Sequence, residues 1–119
     1  MSEIRLNAYQ IMWLFVFFDL PVVTKKERKE ATLFRKNLEQ DGFVMMQYSI
    51  YIRHCASREN ADVHLGHVKS LLPETGRVSV LLVTDKQYSS IFNFWCKPKS
   101  ESSKMEEEDI SEPIQLELF

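Results

Sequence analysis

Asp19 lies at the end of a strongly apolar segment, residues 11–18. A carboxylate is a hard oxygen ligand of the kind that Mg²⁺ prefers, and Mg²⁺ can activate a water and neutralise phosphate charge. One carboxylate makes a poor magnesium site, so two copies of Asp19 would have to meet at a two-fold axis. The alternative is a turn residue that accepts backbone N–H hydrogen bonds, and the residues alone favour that alternative. Asp85 is a weaker acidic candidate and is expected to be a turn residue.

Four cations crowd the first turns of a predicted helix: Lys25, Lys26, Arg28 and Lys29. Cations are unfavourable there because the start of a helix is the positive end of its dipole. Phosphate binding needs positive groups on one face, so this cluster is the best candidate for contacts with nucleic acid. The alternative is a solvated helix face that Glu27 and Glu30 balance through neighbouring ion pairs. Two lesser candidates, Arg53 and Arg58, flank a later strand-to-helix turn.

His64 and His67 are three residues apart on a second predicted helix, a spacing that can hold a metal ion. No third ligand is evident in the sequence, so we expect them to be exposed helix histidines. The two cysteines, Cys55 and Cys96, form no Cys-x-x-Cys pair. The sequence therefore predicts free thiols in a reducing cytoplasm, with neither a disulfide framework nor a zinc site.

The composition is that of one globular domain, with 119 residues of which 45% are hydrophobic. A chain of this length often builds its working surface by pairing with a second copy. The net charge of −2 argues against a generic basic nucleic-acid-binding protein. The charge is uneven, however, because residues 98–119 carry two lysines and seven acidic residues. The body of the chain is therefore mildly basic.

The elements that must position these residues begin with residues 11–18, which predict a central strand covered on both faces. Thr24 and Glu27 form a capping-box pattern that starts a helix. An apolar stripe follows on that helix, and Gly42 is free to take the left-handed conformation beyond its end. The stripe consists of Ala31, Phe34 and Leu38.

Residues 43–54 predict strand with a bend near Gln47. A full hairpin turn is not obvious because Gly, Pro, Asn and Asp are absent there, so the strand pairing around Gln47 stays open. Ser57 is expected to cap a second helix that ends before Pro73 and Gly76. Its predicted apolar stripe consists of Ala61, Leu65, Val68 and Leu72. Residues 78–84 predict a further apolar strand. The order βαβ(β)αβ indicates an α+β sandwich of the ferredoxin-like kind.

The predicted domain spans residues 11–97, after a lead-in of residues 1–10. Residues 98–112 predict a solvated acidic linker. Residues 113–119 alternate in polarity and predict a strand that adds to a sheet edge, its own or a partner's, through Ile114, Leu116 and Leu118. The apolar run near the N-terminus is too short for a membrane span and lacks a cleavage site, so we expect a soluble intracellular protein.

Four segments of the chain together match one known pattern. They are Phe17-Phe18-Asp19-Leu20-Pro21, a basic helix with Arg28, Phe34, Arg35 and Leu38, Gln47-Tyr48-Ser49-Ile50-Tyr51, and Val83-Thr84-Asp85-Lys86-Gln87-Tyr88. Over about residues 11–95 the chain resembles the small endonuclease-family subunit of the CRISPR spacer-acquisition complex. The type II variant of that subunit is the most similar in the first and last segments.

This resemblance implies a ferredoxin-like two-fold homodimer that bridges two dimers of the CRISPR integrase subunit. It also implies binding of double-stranded spacer DNA, which the assembly inserts into the CRISPR array in a prokaryotic cytoplasm. Metal-dependent cleavage of RNA or DNA is ascribed to members of the family, and their role in integration is structural. Asp19 matches the signature acid, so the resemblance makes it the candidate catalytic residue and Mg²⁺ ligand. Neither a membrane nor a small-molecule substrate is expected.

Two functional hypotheses therefore stand side by side. The first is a structural dimer that bridges partners and binds DNA. The second is a Mg²⁺-dependent phosphodiesterase in which Asp19 is paired across the dimer. A small-ligand regulatory domain or RNA-binding module is third, since unrelated functions share this fold but the chain has no Gly-rich ligand loop.

Overall fold

The structure of the protein is a computed structural model that describes residues 11–98. Its elements are β1 (Met12–Asp19), α1 (Lys25–Gln40), β2 (Val44–Gln47), β3 (Ile50–Cys55), α2 (Arg58–Ser70), β4 (Arg77–Thr84) and α3 (Asp85–Tyr88). The four strands form one sheet in the order β2-β3-β1-β4, and each neighbouring pair is antiparallel. This is the ferredoxin-like α+β arrangement that the sequence predicts.

Strand β1 lies at the centre of the sheet, between β3 and β4. Its side chains alternate, and Leu14, Val16 and Phe18 pack in the core against α1 and α2. The opposite face carries Phe15 and Phe17, and α3 covers only the part of that face near Phe15. The prediction of a strand covered on both faces is therefore correct only where α3 lies.

Helix α1 begins and ends where the sequence predicts. Thr24 and Glu27 form the reciprocal capping box, and the buried residues are the predicted stripe of Ala31, Phe34 and Leu38. Asp41 is the C-cap and Gly42 follows in the left-handed region with a φ of 93°. The helix is thus fixed at both ends and along one face.

The hairpin between β2 and β3 gives the strand pairing around Gln47 that the sequence leaves open. The chain reverses in a two-residue turn at Tyr48 and Ser49. The pairing register shifts between Met45 and Gln47, so a bulge adjusts the strands to the turn. Among the described residues no side-chain-bearing residue has a positive φ, which explains why the usual Gly or Asn signal of a hairpin turn is missing.

Helix α2 is capped by Ser57 as predicted, and Ala61 and Val68 of its predicted stripe are buried, but His64 is buried between them in place of Leu65. Its buried residues are Ala61, His64 and Val68, whereas Leu72 is half exposed. The helix ends at Ser70, so Leu72 is no longer part of it. His64 can occupy the buried position because its ring is hydrogen-bonded to Asp41.

Several predicted segments lie outside the described residues. These are the lead-in of residues 1–10, nearly all of the acidic linker and the terminal strand with Ile114, Leu116 and Leu118. Within residues 11–98, none of the helices combines the length and the apolar character that a membrane crossing requires.

Gly76 packs closely against the residues at the end of β1, and replacing it tests whether that close approach is needed for stability. Its φ is +106°, and an added Cβ would lie 2.7 Å from Leu20 Cδ2 and 3.0 Å from the carbonyl oxygen of Asp19. We expect Gly76→Ala to lower the free energy of unfolding by about 1–3 kcal/mol in urea denaturation. Gly66→Ala is the matched control, since its Cβ would meet nothing within 4 Å inside α2, and it should raise stability by up to ~1 kcal/mol. Equal stability of the two variants would contradict this account.

Candidate functional site

Asp19 is the last residue of β1 and its side chain is exposed. Strand alternation places it with Phe15 and Phe17 on the face of the sheet that points away from α1 and α2. It lines a shallow depression of about 240 Å³ with Ser49, Arg77 and Ser79. The acid therefore lies at the rim of the open sheet face.

The Asp19 carboxylate is not held in place by its surroundings. Among residues 11–98, no side-chain hydrogen bond or ion pair within 4.0 Å involves it, although Arg77 is its cross-strand neighbour. The alternative of a turn residue that accepts backbone N–H groups is thus not the arrangement seen. The strand end itself is fixed, since the Phe18 N–H donates to the Ser49 carbonyl oxygen at 3.1 Å. One carboxylate on one chain does not make a magnesium site, so a single copy does not fit that ion.

The open sheet face next to Asp19 is apolar. Phe17, Ile50, Leu81 and Val83 line a cavity of about 420 Å³ together with Tyr88 and Ile91. Leu81 is 49% exposed, and the segment that follows α3 exposes three large aromatic side chains: Phe92, Phe94 and Trp95. Exposed apolar surfaces of this kind are typical of interaction sites and ligand-binding grooves.

Helix α3 is anchored on this face by Trp13. The indole Nε1–H donates to Asp85 Oδ1 at 2.7 Å, and the ring stacks on Tyr88 with centroids 3.9 Å apart. Asp85 therefore has a structural role, since it begins the short helix α3 and accepts the Trp13 hydrogen bond. The sequence predicts a turn residue at this position, and a residue at a helix start is similar to that. The signal that sequence reasoning missed is the second capping box, which Thr84 and Gln87 form.

The basic cluster is divided between two sides of α1. Lys25, Arg28 and Lys29 line one shallow groove of about 510 Å³ with Lys36. Lys36 was missed by sequence reasoning, and its spacing of seven from Lys29 places it on the same helix face. Lys26 lies on another side, where its Nζ is 3.3 Å from Glu74 and 4.0 Å from Glu30. Three of the four predicted phosphate ligands therefore share a surface.

Two groups make the cationic start of α1 tolerable. Arg28 Nη1 donates to the carbonyl oxygens of Val23 at 2.8 Å and Val22 at 3.3 Å, which fixes the approach to the helix. The Thr24 backbone N–H donates to Glu27 Oε1 at 3.0 Å, and this bond is the main reason why the pKa of Glu27 lies below its usual value. An ionised Glu27 offsets the local excess of positive charge.

The two lesser basic candidates are not brought to this groove. Arg53 donates from Nε to the Asp41 carbonyl oxygen and from Nη1 to that of His54, both at 2.7 Å. These bonds tie β3 to the end of α1, so the placement favours a structural role. Arg58 is exposed as the first residue of α2. Arg53 and Arg58 both lie at the opposite end of the sheet, where β3 runs into α2.

His64 and His67 do have a third polar group beside them. The Nδ1 atoms of His64 and His67 lie 2.9 and 2.8 Å from the two carboxylate oxygens of Asp41. Burial raises the pKa of Asp41, but the hydrogen bonds to the two histidines and their electrostatic attraction together outweigh it, so the pKa lies below its usual value. The expectation of two exposed histidines is wrong for His64, which is 8% exposed. Asp41 was missed because its contact is set by tertiary packing.

Cys55 and Cys96 are both free, as predicted, and differ in exposure. Cys55 is buried in the core, and that burial raises the pKa of its thiol. A protonated thiol is a poor nucleophile, so Cys55 is a packing residue.

Comparison with known proteins places this geometry in a family. Residues 12–91 match the family described as CRISPR associated protein Cas2. A protein of Flavobacterium psychrophilum named CRISPR-associated endoribonuclease Cas2 is 50% identical over 97% of this chain and 94% of its own length. Proteins of the same name from Parvibaculum lavamentivorans and Paracidovorax avenae are 44% and 41% identical over 91% and 96% of this chain, and over 100% and 99% of their own lengths. The chain belongs to the CRISPR-associated Cas2 family.

Proposed function

We propose that this chain is the dimeric subunit of a CRISPR adaptation complex, where it bridges integrase dimers and binds double-stranded spacer DNA. The observation that carries the proposal is the open, apolar sheet face with Asp19 at its rim. The chain has no deep cleft of its own among residues 11–98 at that acid, only a shallow depression of about 240 Å³. A surface built for association is therefore better supported than a self-contained active site. The resemblance to the type II variant stays a prediction.

A second copy of the chain is the partner that this face fits best. The face is formed by β1, β3 and β4, and Phe17, Ile50 and Leu81 are on it. Two copies that cover the same patch form a closed isologous pair, the commonest symmetry of small soluble proteins. Because Asp19 shares the face, such pairing carries two carboxylates toward one axis. The terminal strand with Ile114, Leu116 and Leu118 stays a predicted addition to this interface.

A charge on the open face tests the dimer. Leu81→Arg should be a monomer at micromolar concentration where the wild type is a dimer, because burying an unpaired guanidinium is costly. The fold should survive, since Leu81 is half exposed in one chain. Val63→Arg is the matched control, an exposed apolar residue on α2, and should remain dimeric. Mass measured by analytical ultracentrifugation decides, and a dimeric Leu81→Arg variant would overturn this interface.

The groove along α1 is the proposed contact with the DNA backbone. Its ammonium and guanidinium groups lie on one helix face, which suits a row of phosphates and carries no base-reading geometry. The acidic tail gives the whole chain a net charge of −2, yet the local surface is cationic. Binding of duplex by this face is therefore expected to depend strongly on salt and weakly on base sequence.

Reversal of one charge in this groove tests the contact. Lys29→Glu should weaken duplex binding about ten-fold and reduce the slope of log affinity against log salt by about 1, because one phosphate contact is lost. Lys69→Glu makes the same charge change at an exposed position of α2 outside the groove and should have a much smaller effect. Fluorescence anisotropy over a salt series measures both. If the two variants weaken binding equally, only net charge matters and the groove is not the site.

The alternative function is a Mg²⁺-dependent endonuclease that uses Asp19 paired across the dimer. The relatives named endoribonuclease support it. A magnesium site would need carboxylates from both copies, because within residues 11–98 one copy offers only Asp19 at that rim. The alternative therefore rests on the same dimer as the scaffold.

Asp19→Ala separates the two functions. The free energy of unfolding of this variant should lie within about 0.5 kcal/mol of that of the wild type, because the Asp19 carboxylate has no partner among the described residues. We expect any Mg²⁺-dependent cleavage of RNA or DNA to fall at least 100-fold, while dimer formation, integrase binding and spacer integration stay intact. Loss of integration by a folded, dimeric, integrase-bound variant would overturn the scaffold in favour of chemistry at Asp19. Gel assays of cleavage and of integration, run on the same preparation, give the answer.

A further inference from the structure

Asp41, His64 and His67 lie together where the end of α1 meets the middle of α2, on the helical side of the molecule. One ligand atom from each residue can be chosen so that all lie within 4.8 Å of one another. We propose that these three side chains bind a divalent transition-metal ion of the zinc class. This site is separate from Asp19 and from the function proposed above, and its role is to join the two helices.

The arrangement is close to that of a three-ligand metal site. The Nδ1 atoms of His64 and His67 are 2.9 and 2.8 Å from different oxygens of one carboxylate. Tetrahedral Zn²⁺ with bonds of about 2.0 Å holds its ligand atoms about 3.3 Å apart. Each nitrogen–oxygen contact would have to open by about half an ångström, and the ligand atoms, which all lie within 4.8 Å of one another, would have to close around the ion. With the ion bound, each imidazole would carry its proton on Nε2, so that the lone pair of Nδ1 faces the ion.

The charges around Asp41 also favour the binding of a cation. Asp41 caps the C-terminal end of α1, which is the negative end of the helix dipole. The last turn of α1 contains no basic residue and includes Glu39. A carboxylate at this position is unfavourable unless a positive group lies beside it. The hydrogen bonds to the two imidazoles and the Arg53 guanidinium, which donates to the Asp41 carbonyl oxygen, relieve this in part, and a divalent ion at the carboxylate would add two further positive charges.

The protein holds the three groups in place before any ion binds. The Asp41 carbonyl oxygen accepts from Arg53 Nε at 2.7 Å, and Gly42 turns the chain away with a φ of 93°. The His64 side chain is 10% exposed and is fixed by its packing. Preorganised ligands lower the cost of ordering on binding. The sequence separation between Asp41 and the histidines means that an ion here would tie α1 to α2.

A position for a further ligand is open to solvent. The His67 side chain is 50% exposed. It borders a surface cleft of about 260 Å³ that Asn37, Gln40 and Ser70 also line. Water can complete the coordination shell from this side, and the amides can hydrogen-bond it.

The donor set selects the class of ion. Two imidazole nitrogens and one carboxylate suit Zn²⁺, Co²⁺ and Ni²⁺, whereas Mg²⁺ and Ca²⁺ prefer oxygen ligands only. The site is also remote from Asp19. Asp19 precedes α1 and Asp41 follows it, and the 16 residues of that helix span about 24 Å. A magnesium site at the dimer axis and this site would thus be distinct in place and in chemistry.

The experiment uses the full chain, prepared without a histidine tag and freed of metal by a chelator. Co²⁺ is titrated while the visible d–d absorption is recorded, and Zn²⁺ binding is measured by calorimetry. We expect one equivalent of Co²⁺ to give a visible band that Zn²⁺ abolishes by displacement. Zn²⁺ at a hundred times its dissociation constant should raise the folded-to-unfolded ratio about 100-fold, seen as a higher Tm.

Variants assign the site. His67→Ala and Asp41→Asn should each weaken binding at least ten-fold and remove the rise in Tm, and the half-exposed His67 can be replaced without opening the core. His54→Ala is the matched control, because His54 is the third histidine of the chain and is exposed on β3. It should bind as the wild type does. The absence of a Co²⁺ band in the wild type, or unchanged affinity in both ligand variants, would overturn the proposal and leave a hydrogen-bonded helix contact.

Discussion

The pairing of β1 with both β3 and β4 is the constraint on which the rest of the molecule depends. A strand paired on both edges can only alternate its side chains between the two faces of the sheet. Leu14 and Val16 are thereby turned into the helical core, and Phe17 and Asp19 to the opposite face. A slip of one residue would exchange the two sets and bury the carboxylate among apolar side chains. The placement of Asp19 on the open face is therefore specified as strongly as the core itself.

The parts of the fold that the sequence predicts are those with local signals. The capping box of Thr24 and Glu27, the buried stripe of α1 and the left-handed Gly42 all follow from residues a few positions apart. The basic residues of the α1 groove were found in the same way, and Lys36 was missed only because the predicted cluster stopped after two turns. The order of strands and helices then leaves few arrangements besides the ferredoxin-like sheet.

The features that could not be predicted are set by contacts between distant parts of the chain. The turn at Tyr48 and Ser49 contains no Gly, Pro, Asn or Asp, and its geometry is adjusted by a bulge in β2. The buried face of α2 includes His64, because Asp41 accepts its hydrogen bond across 23 residues of sequence. Arg53 looked like a free cation, yet its guanidinium is bonded to backbone carbonyl groups. Polar residues that the fold satisfies internally are indistinguishable in sequence from those left for a ligand.

Asp19 and Asp41 differ in how far the described residues hold them in place. The Asp41 carboxylate is held by two imidazoles and its carbonyl group by a guanidinium, so its geometry is complete within one chain. Asp19 is exposed at a strand end and has no such support among the described residues. Chemistry at a carboxylate needs fixed neighbours that place the ion and the substrate. Whatever Asp19 does must therefore be completed by groups other than residues 11–98 of the same copy, and the apolar sheet face beside it is the surface that would bring a second copy there.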